Sequence, residues 1–312
     1  GVLSSALNTI TQPSDGVVTG VGDDAAVLRQ GNGEFQVIST DHLRSFINDP
    51  GLMTQIAAVH ALGDVWAMGA QPQVGLASIV LPQMSADLQR RTLLEITQVA
   101  TEVLSVAGAQ LVGGHTTMGA ELTIGFTVTG TKKTMPLTVS GAEPGDILIL
   151  TRPIGSGVIL AADMLGQAGG RDVAATLLTM GQAQDREAAL LAPVANAMTD
   201  VTGFGLAGHV HAMCQASKLD ADLFHDAIPI YPGARALSDA GVSSTLMPTN
   251  YLDSPVAGLY DELLYDPQTA GGLLAAVPEK LSTTVLQALI VQGCTGHIIG
   301  RLRKGTGCLY LS

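Results

Sequence analysis

Positive charge is what this chain has least of. Only 13% of its 312 residues are charged, and 15 Lys and Arg stand against 27 Asp and Glu, for a net charge of -12. Binding to a phosphate backbone relies on clustered Lys and Arg that displace counterions, so this balance argues against a nucleic-acid partner. Cysteine is also sparse. Cys214, Cys294 and Cys308 are odd in number and show no CxxC or Cys/His ligand spacing, which speaks against a disulfide framework or a zinc site and fits a reducing, cytoplasmic setting. Long apolar runs are missing too. The most apolar stretch, residues 52–84, is broken by His60, Gly63, Asp64, Pro72 and several Gln, short of the ~18 uninterrupted apolar residues that signal a membrane span. No secretory signal precedes Gly1, and the start without methionine reads as a trimmed N-terminus.

What the chain has is core material. Hydrophobic residues make up 46% of it, enough for compact globular domains, and its length favours two of them. Residues 34–40 read as a strand and 52–68 as a helix carrying Asp64 in its last turns. Residues 74–81 read as a buried strand stopped by Pro82. Ser85 is an N-cap for a long helix through Val106, with Gly108 as the stop. Strands at 110–112 and 122–131 complete the first half. Residues 132–146 are rich in turn formers (Pro136, Gly141, Pro144, Gly145) and suit a junction, giving domains at 1–144 and 145–312. The second half opens with a strand at 147–151 and a helix after Pro153, then a Gly- and Ala-rich region through Gln184. Helices at 185–191, 205–216, 233–240 and 279–292 follow, with strands at 221–224, 272–277 and 298–302. The fold class is α+β, two domains in tandem. No period of 20 to 50 residues marks a solenoid or propeller.

Aspartate recurs where elements give way to loops: Gly22-Asp23-Asp24, Ser39-Thr40-Asp41, Leu62-Gly63-Asp64 and Met198-Thr199-Asp200-Val201-Thr202-Gly203. Carboxylate oxygen is the hard ligand Mg²⁺ prefers, and Mg²⁺ binds through one or two carboxylates plus substrate phosphates, so these acids read as one composite metal–nucleotide site. Each has a plainer reading. Asp23-Asp24 also suits a solvated turn with an Asx bond. Asp41 reads as lying at the C-terminal edge of its strand, where ligands bind in α/β sheets. Asp64, between Leu62 and Val65, is either a lone exposed helix acid or a buried one that needs a partner. Gly113-Gly114-His115-Thr116 reads as a turn, either one that lets a phosphate approach or simply a tight connection; it is no Walker A loop. Arg44, Lys132 and Lys133 are read as solvated.

The string from Thr199 to His209 is the most distinctive, because it couples an acid to three glycines that open a helix, and helix N-termini attract anions. Its plain reading is a Gly-rich helix entry. Asp266-Pro267-Gln268-Thr269-Ala270-Gly271-Gly272-Leu273-Leu274 reads as mainly architectural, with Gln268 and Thr269 as lesser candidates for ligand contact.

These strings resemble the selenophosphate synthetases (selenide, water dikinases) of the aminoimidazole ribonucleotide synthetase superfamily, over nearly the whole chain. The Thr199–His209 and Asp266–Leu274 strings look like that family in particular, whereas residues 22–27 are also similar to thiamine-monophosphate kinase; it is the combination that is specific. The resemblance implies an aminoimidazole ribonucleotide synthetase-like fold, with an N-terminal ATP/Mg-binding domain that forms a β-barrel across a homodimer interface and a C-terminal α/β domain. It implies ATP held by Mg²⁺ ions on Asp24, Asp41, Asp64 and Asp200. Val21, Gly22, Asp23, Asp41, Asp64, Gly114, His115 and Thr116 match the nucleotide contacts. The implied reaction turns ATP, selenide and water into selenophosphate, AMP and phosphate.

Two departures accompany it. The family's glycine-rich loop with a reactive Cys or selenocysteine and a Lys, just before the segment matching residues 2–10, has no counterpart in this chain, so no catalytic Cys or Lys is assigned. The spacing at Ser39-Thr40-Asp41 is one residue short. Residues 2–7 and 48–72 look closest to members fused behind a flavin-dependent pyridine nucleotide-disulfide oxidoreductase. The alternatives are another superfamily small-molecule kinase, such as thiamine-monophosphate kinase, and a nucleotide-binding, non-catalytic appendage of an oxidoreductase.

Overall fold

The computed structural model describes residues 16–20 and 22–312. Val21 and the string at residues 2–7 lie outside them.

The first half builds a six-stranded sheet from β1 (Val17–Thr19), β2 (Ala26–Arg29), β3 (Phe35–Arg44), β4 (Gln71–Pro82), β5 (Gln110–Gly119) and β6 (Thr123–Lys132), in the order β1-β2-β3-β6-β4-β5. Its pairs are antiparallel except β4–β5, which run parallel because a long helix makes the crossover between them. That helix, α2 (Ala86–Val106), starts at Ser85, whose side chain accepts from the Leu88 N–H. It buries Thr92, Ile96, Ala100 and Leu104, a stripe at spacing four, and leaves its other face to solvent.

The helix α1 (Pro50–Ala67) is different. Fifteen of its 18 residues are buried, so it has no solvent face. It packs on β3 and β6 on one side and meets α2 and the second half of the chain on the others. A helix apolar all round is a core helix, and this one lies between the two halves.

The second half forms a seven-stranded mixed sheet, ordered β10-β13-β9-β12-β7-β11-β8. Its strands are β7 (Ile147–Leu150), β8 (Ala197–Asp200), β9 (Leu219–Leu223), β10 (Val256–Gly258), β11 (Leu273–Val277), β12 (His297–Lys304) and β13 (Leu309–Leu311). Every residue of β7, β8 and β11 is buried, as expected of strands covered on both faces. The helix after Pro153 is α3 (Ser156–Met164), and the Gly- and Ala-rich region that follows contains α4 (Gly170–Met180). The remaining helices are α5 (Asp185–Leu191), α6 (Gly205–Ser217), α7 (Ala234–Asp239), α8 (Met247–Asp253) and α9 (Glu279–Val291). β8, at the sheet edge, abuts α1.

Four readings change. β3 runs on to Arg44, so Asp41 sits inside a strand paired with Phe126 rather than at its end. β4 alternates buried and exposed residues, so only one face is covered. Gly113 to Thr116 form no turn. They continue β5 along the sheet edge after a bulge at Val112, since Leu111 pairs with Gly75 and Gly113 with Leu76. Gly114 is there because a Cβ would stand 2.0 Å from the Ala77 carbonyl oxygen. Lys132 is half-buried and donates to the Met68 carbonyl at 3.3 Å, while Arg44 is exposed and pairs with Glu121.

Phe126 is 1% exposed at the centre of the first sheet. Phe126→Ala should cost about 3–5 kcal/mol, whereas Leu165→Ala on the exposed end of α3 should stay within about 0.5 kcal/mol. Urea midpoints followed by fluorescence of Trp66, the chain's single tryptophan and itself buried in α1, measure the difference.

Candidate metal centre

Folding brings together acids that the sequence holds far apart. Asp24 lies just before β2, Asp64 in the last turn of α1, and Asp200 at the end of β8; one carboxylate oxygen of each lies within 4.8 Å of the other two. Two come from the first half of the chain and one from the second, so the site exists only where the halves meet. Gly63 makes the approach feasible. A Cβ on it would stand 2.4 Å from Asp200 Oδ2, so any side chain there would push the Asp200 carboxylate out of the cluster.

β3 supplies the rest. Ser39 and Asp41, two apart, share a face of the strand. Ser39 Oγ donates to Asp64 Oδ2 and lies 3.4 Å from the Asp24 carbonyl oxygen. The Asp41 charge acts on Asp24, Asp64, Asp200 and His60, so this fourth acid faces the same cluster.

The electrostatics are one-sided. Burial pushes the carboxyls of Asp24, Asp64 and Asp200 well above the usual range, and the neighbouring acids push the same way: Asp64 on Asp24, Asp200 on Asp64, and Asp24 on Asp200. Hydrogen bonds from Thr199 to Asp24 and from Ser39 to Asp64 pull back without reversing this. Among the described residues no Lys or Arg pairs with any of the three. Asp24 Oδ2 is buried with no hydrogen-bond partner. A buried, unpaired carboxylate oxygen amid like charges calls for a cation, and an all-oxygen donor set is the one Mg²⁺ takes. The residues fit that ion.

The other expected contacts scatter. Asp23 turns towards the junction, its Oδ1 accepting from Asp24 N at 3.1 Å and Val139 N at 3.3 Å, and burial raises its pKa. Gly22 is exposed at φ +115°, with nothing within 4 Å of where a Cβ would be. Gly114, His115 and Thr116 lie exposed on β5, three strands from Asp41 along the register Asp41, Phe126, Ala77, Gly114. At about 4.8 Å per strand that is ~14 Å, so one chain does not bring them to the acids. The reading by residue type passed over Ser39, His60, Gly63, Thr199 and His209. Only Thr199 and His209 carried a signal, as the two ends of the distinctive string.

Residues 22–131 match the AIR synthase related protein N-terminal domain, and residues 143–308 match the C-terminal domain of the same group. The selenide, water dikinase of Aeromonas salmonicida (strain A449) is 34% identical over 319 residues, covering 98% of this chain and 90% of that protein. The chain belongs to the selenide, water dikinase family. Its fold is the two-domain AIR synthase arrangement. The thiamine-monophosphate kinase of Stenotrophomonas maltophilia K279a superposes with a TM-score of 0.72 at 20% identity, covering 99% of this chain and 94% of that one. AaThiL, complexed with AMPPCP and TMP, gives 0.71 at 17%, covering 99% and 91%. At these identities the likeness is one of fold.

The raised carboxyls have a consequence for stability. An acid whose folded pKa exceeds its unfolded value leaves the native state holding the extra proton, so stability is fullest below about 3.8, the ordinary value, and falls as pH climbs towards the raised value. In EDTA, Asp24→Asn should therefore melt higher than the wild type at pH 7, and the gap should close as pH drops towards 4. Thermal denaturation at stepped pH measures this, and saturating Mg²⁺ should reverse the order.

Proposed function

We propose that the chain makes selenophosphate from selenide, ATP and water, releasing AMP and phosphate, with Mg²⁺ on Asp24, Asp64 and Asp200 and with Asp41 beside them. The observation that carries this is the three-carboxylate cluster, with its unpartnered Asp24 Oδ2, straddling both domains. The relatives' name supports the reaction, and the AMPPCP seen in AaThiL supports a nucleotide in this fold.

Phosphoryl transfer is governed by positioning and charge neutralisation, and bound Mg²⁺ supplies the latter by drawing charge off the phosphate oxygens. The chain's own residues do the positioning. Asp24, Asp64 and Asp200 would hold the cation where the two domains meet, and Ser39 holds Asp64 from β3. Asp23, tied to Val139, braces the loop ahead of Asp24, and unobstructed Gly22 leaves the backbone there open to a nucleotide. The cysteines are assigned no step. Cys214 is buried in α6 with its thiol pushed up to about 12. The first domain, taken as residues 1–144, would then carry most of the nucleotide contacts, and residues 145–312 contribute Asp200.

Among the described residues no strand pairs with the outer edge of β5, which supports a homodimer. It is ten residues long, exposed along most of its length, and flanked by exposed Leu76, Val112 and Met118. Such an edge is a pairing template unless covered, and a second copy pairing there would give Gly114, His115 and Thr116 a ligand-facing role that they lack within one chain. Light scattering should give twice the chain mass, and Val112→Lys should shift the protein to monomer.

Selenide-dependent AMP formation by the full-length protein tests the reaction. Asp24→Asn or Asp200→Asn should lower kcat/KM at least about 100-fold, roughly 2.7 kcal/mol, within what metal charge neutralisation contributes. ATP binding by calorimetry should vanish in EDTA; affinity indifferent to chelator would refute the metal-bridged site.

A further inference from the structure

His209 stands on α6, and it is bonded at both ring nitrogens. Its Nε2 accepts from the Thr202 N–H at 3.0 Å, and the Thr202 hydroxyl is 3.3 Å away. Its Nδ1 is 3.3 Å from Thr199 Oγ1, and that hydroxyl is 2.7 Å from Asp24 Oδ1. Proton bookkeeping then leaves one arrangement. A backbone N–H can only donate, so Nε2 is an acceptor, and a neutral imidazole carries its one proton on the other nitrogen. Burial keeps the ring neutral by lowering its pKa to about 4. Nδ1–H therefore donates to Thr199 Oγ1. Thr199 has a single proton, which has two acceptors in reach, Asp24 Oδ1 at 2.7 Å and the Asp200 carbonyl at 3.1 Å; the shorter contact takes it.

We propose that His209 is a positioning residue for the metal centre: through Thr199 it fixes which oxygen of Asp24 is hydrogen-bonded, leaving Oδ2 as the cation ligand. The relay runs from the second domain into the first, so it also ties the Asp24 loop to the domain that carries Asp200. Outer-shell partners of this kind orient ligands, and their loss typically costs about 10–100-fold in metal affinity. The inference rests on the metal reading of Asp24, Asp64 and Asp200.

Two amides separate this role from simple bracing of the Thr202 loop. Asn at 209 places its amide near the Nδ1 position and keeps a donor for Thr199; Gln reaches the Nε2 position and keeps an acceptor for Thr202. The readouts are Mn²⁺ binding to the nucleotide-free protein, from the loss of the free-ion paramagnetic resonance signal, and the histidine tautomer from long-range ¹H–¹⁵N spectra. Wild-type His209 should show the Nδ1–H form, unchanged from pH 6 to 8. His209→Asn should bind Mn²⁺ within about threefold of wild type, while His209→Gln and Thr199→Val should bind at least about tenfold more weakly. An Nε2–H tautomer overturns the proposal, as does equal loss in the two amide variants or full affinity in His209→Gln. Wild-type protein that takes up no Mn²⁺ refutes the metal reading instead, and the tautomer then decides the His209 assignment alone.

Discussion

Three like charges buried against one another are the constraint around which this molecule is arranged. With oxygens within 4.8 Å, each ionised pair among Asp24, Asp64 and Asp200 repels by roughly 3–4 kcal/mol at an effective dielectric of 20. Whole domains are stable by only about 5–15 kcal/mol. Full ionisation without a counter-charge would consume most of that margin, so the cluster holds protons or cations. The fold places it between two buried elements: α1 is buried on all sides, β8 is buried throughout, and Gly63 leaves no room for a side chain beside the Asp200 carboxylate.

The second long string serves the same junction. The Gln268 amide oxygen accepts from Gly155 N, Ser156 N and Ser156 Oγ and so caps α3, whose entry residue Gly155 has no side chain to do it. Asp266 receives the next backbone donor, Gly157 N, at 2.9 Å, and burial raises its carboxyl to about 7. Ala270 sits at φ +47°, a conformation costing a non-glycine residue about 1–2 kcal/mol. It is held there from both sides: its N–H donates to His60 Nδ1 on α1, and its carbonyl accepts from buried Arg152. Val201 N in turn bonds Gly272 O, and Gln268 N bonds Thr202 O. The loop thus clamps the segment after Asp200 to the helix carrying Asp64, which agrees with an architectural reading and leaves Gln268 no free group for a ligand.

Which residues were legible in sequence follows from the range of the forces that place them. The acids stood out because each was read where an element gives way to a loop, and a local pattern is visible in one dimension. α1, α2, β7 and β11 were legible for the same reason, whereas β8, only four residues long, was not read as a strand. Gly113 to Thr116 were misread because paired glycines signal a turn locally, whereas here a bulge and a 2.0 Å approach to the Ala77 carbonyl demand them within a continuing strand. Asp41 was misplaced because Asp and His at 41 and 42 look like a strand's end, and only pairing with β6 carries the strand through them. Gly63, Ser39 and His60 stood in the quoted strings and the broken apolar run, yet nothing local gave them a role. Their importance lies in contacts from 25 to 210 residues away along the chain.

Net charge closes the argument. A chain at -12 repels a free triphosphate, and clustering acids at the binding site sharpens the repulsion. Under the proposed reading the same cluster turns attractive once cations occupy it, because the ions would neutralise protein carboxylates and phosphate oxygens together. Metal and nucleotide affinity are then thermodynamically linked. Each improves the other by the same factor, and protons compete with the metal for the same oxygens. Raising the carboxyl pKa values by burial makes that competition sharper, while a hydrogen bond from Thr199 to one oxygen of Asp24 favours its ionised form and keeps the cluster within reach of a cation.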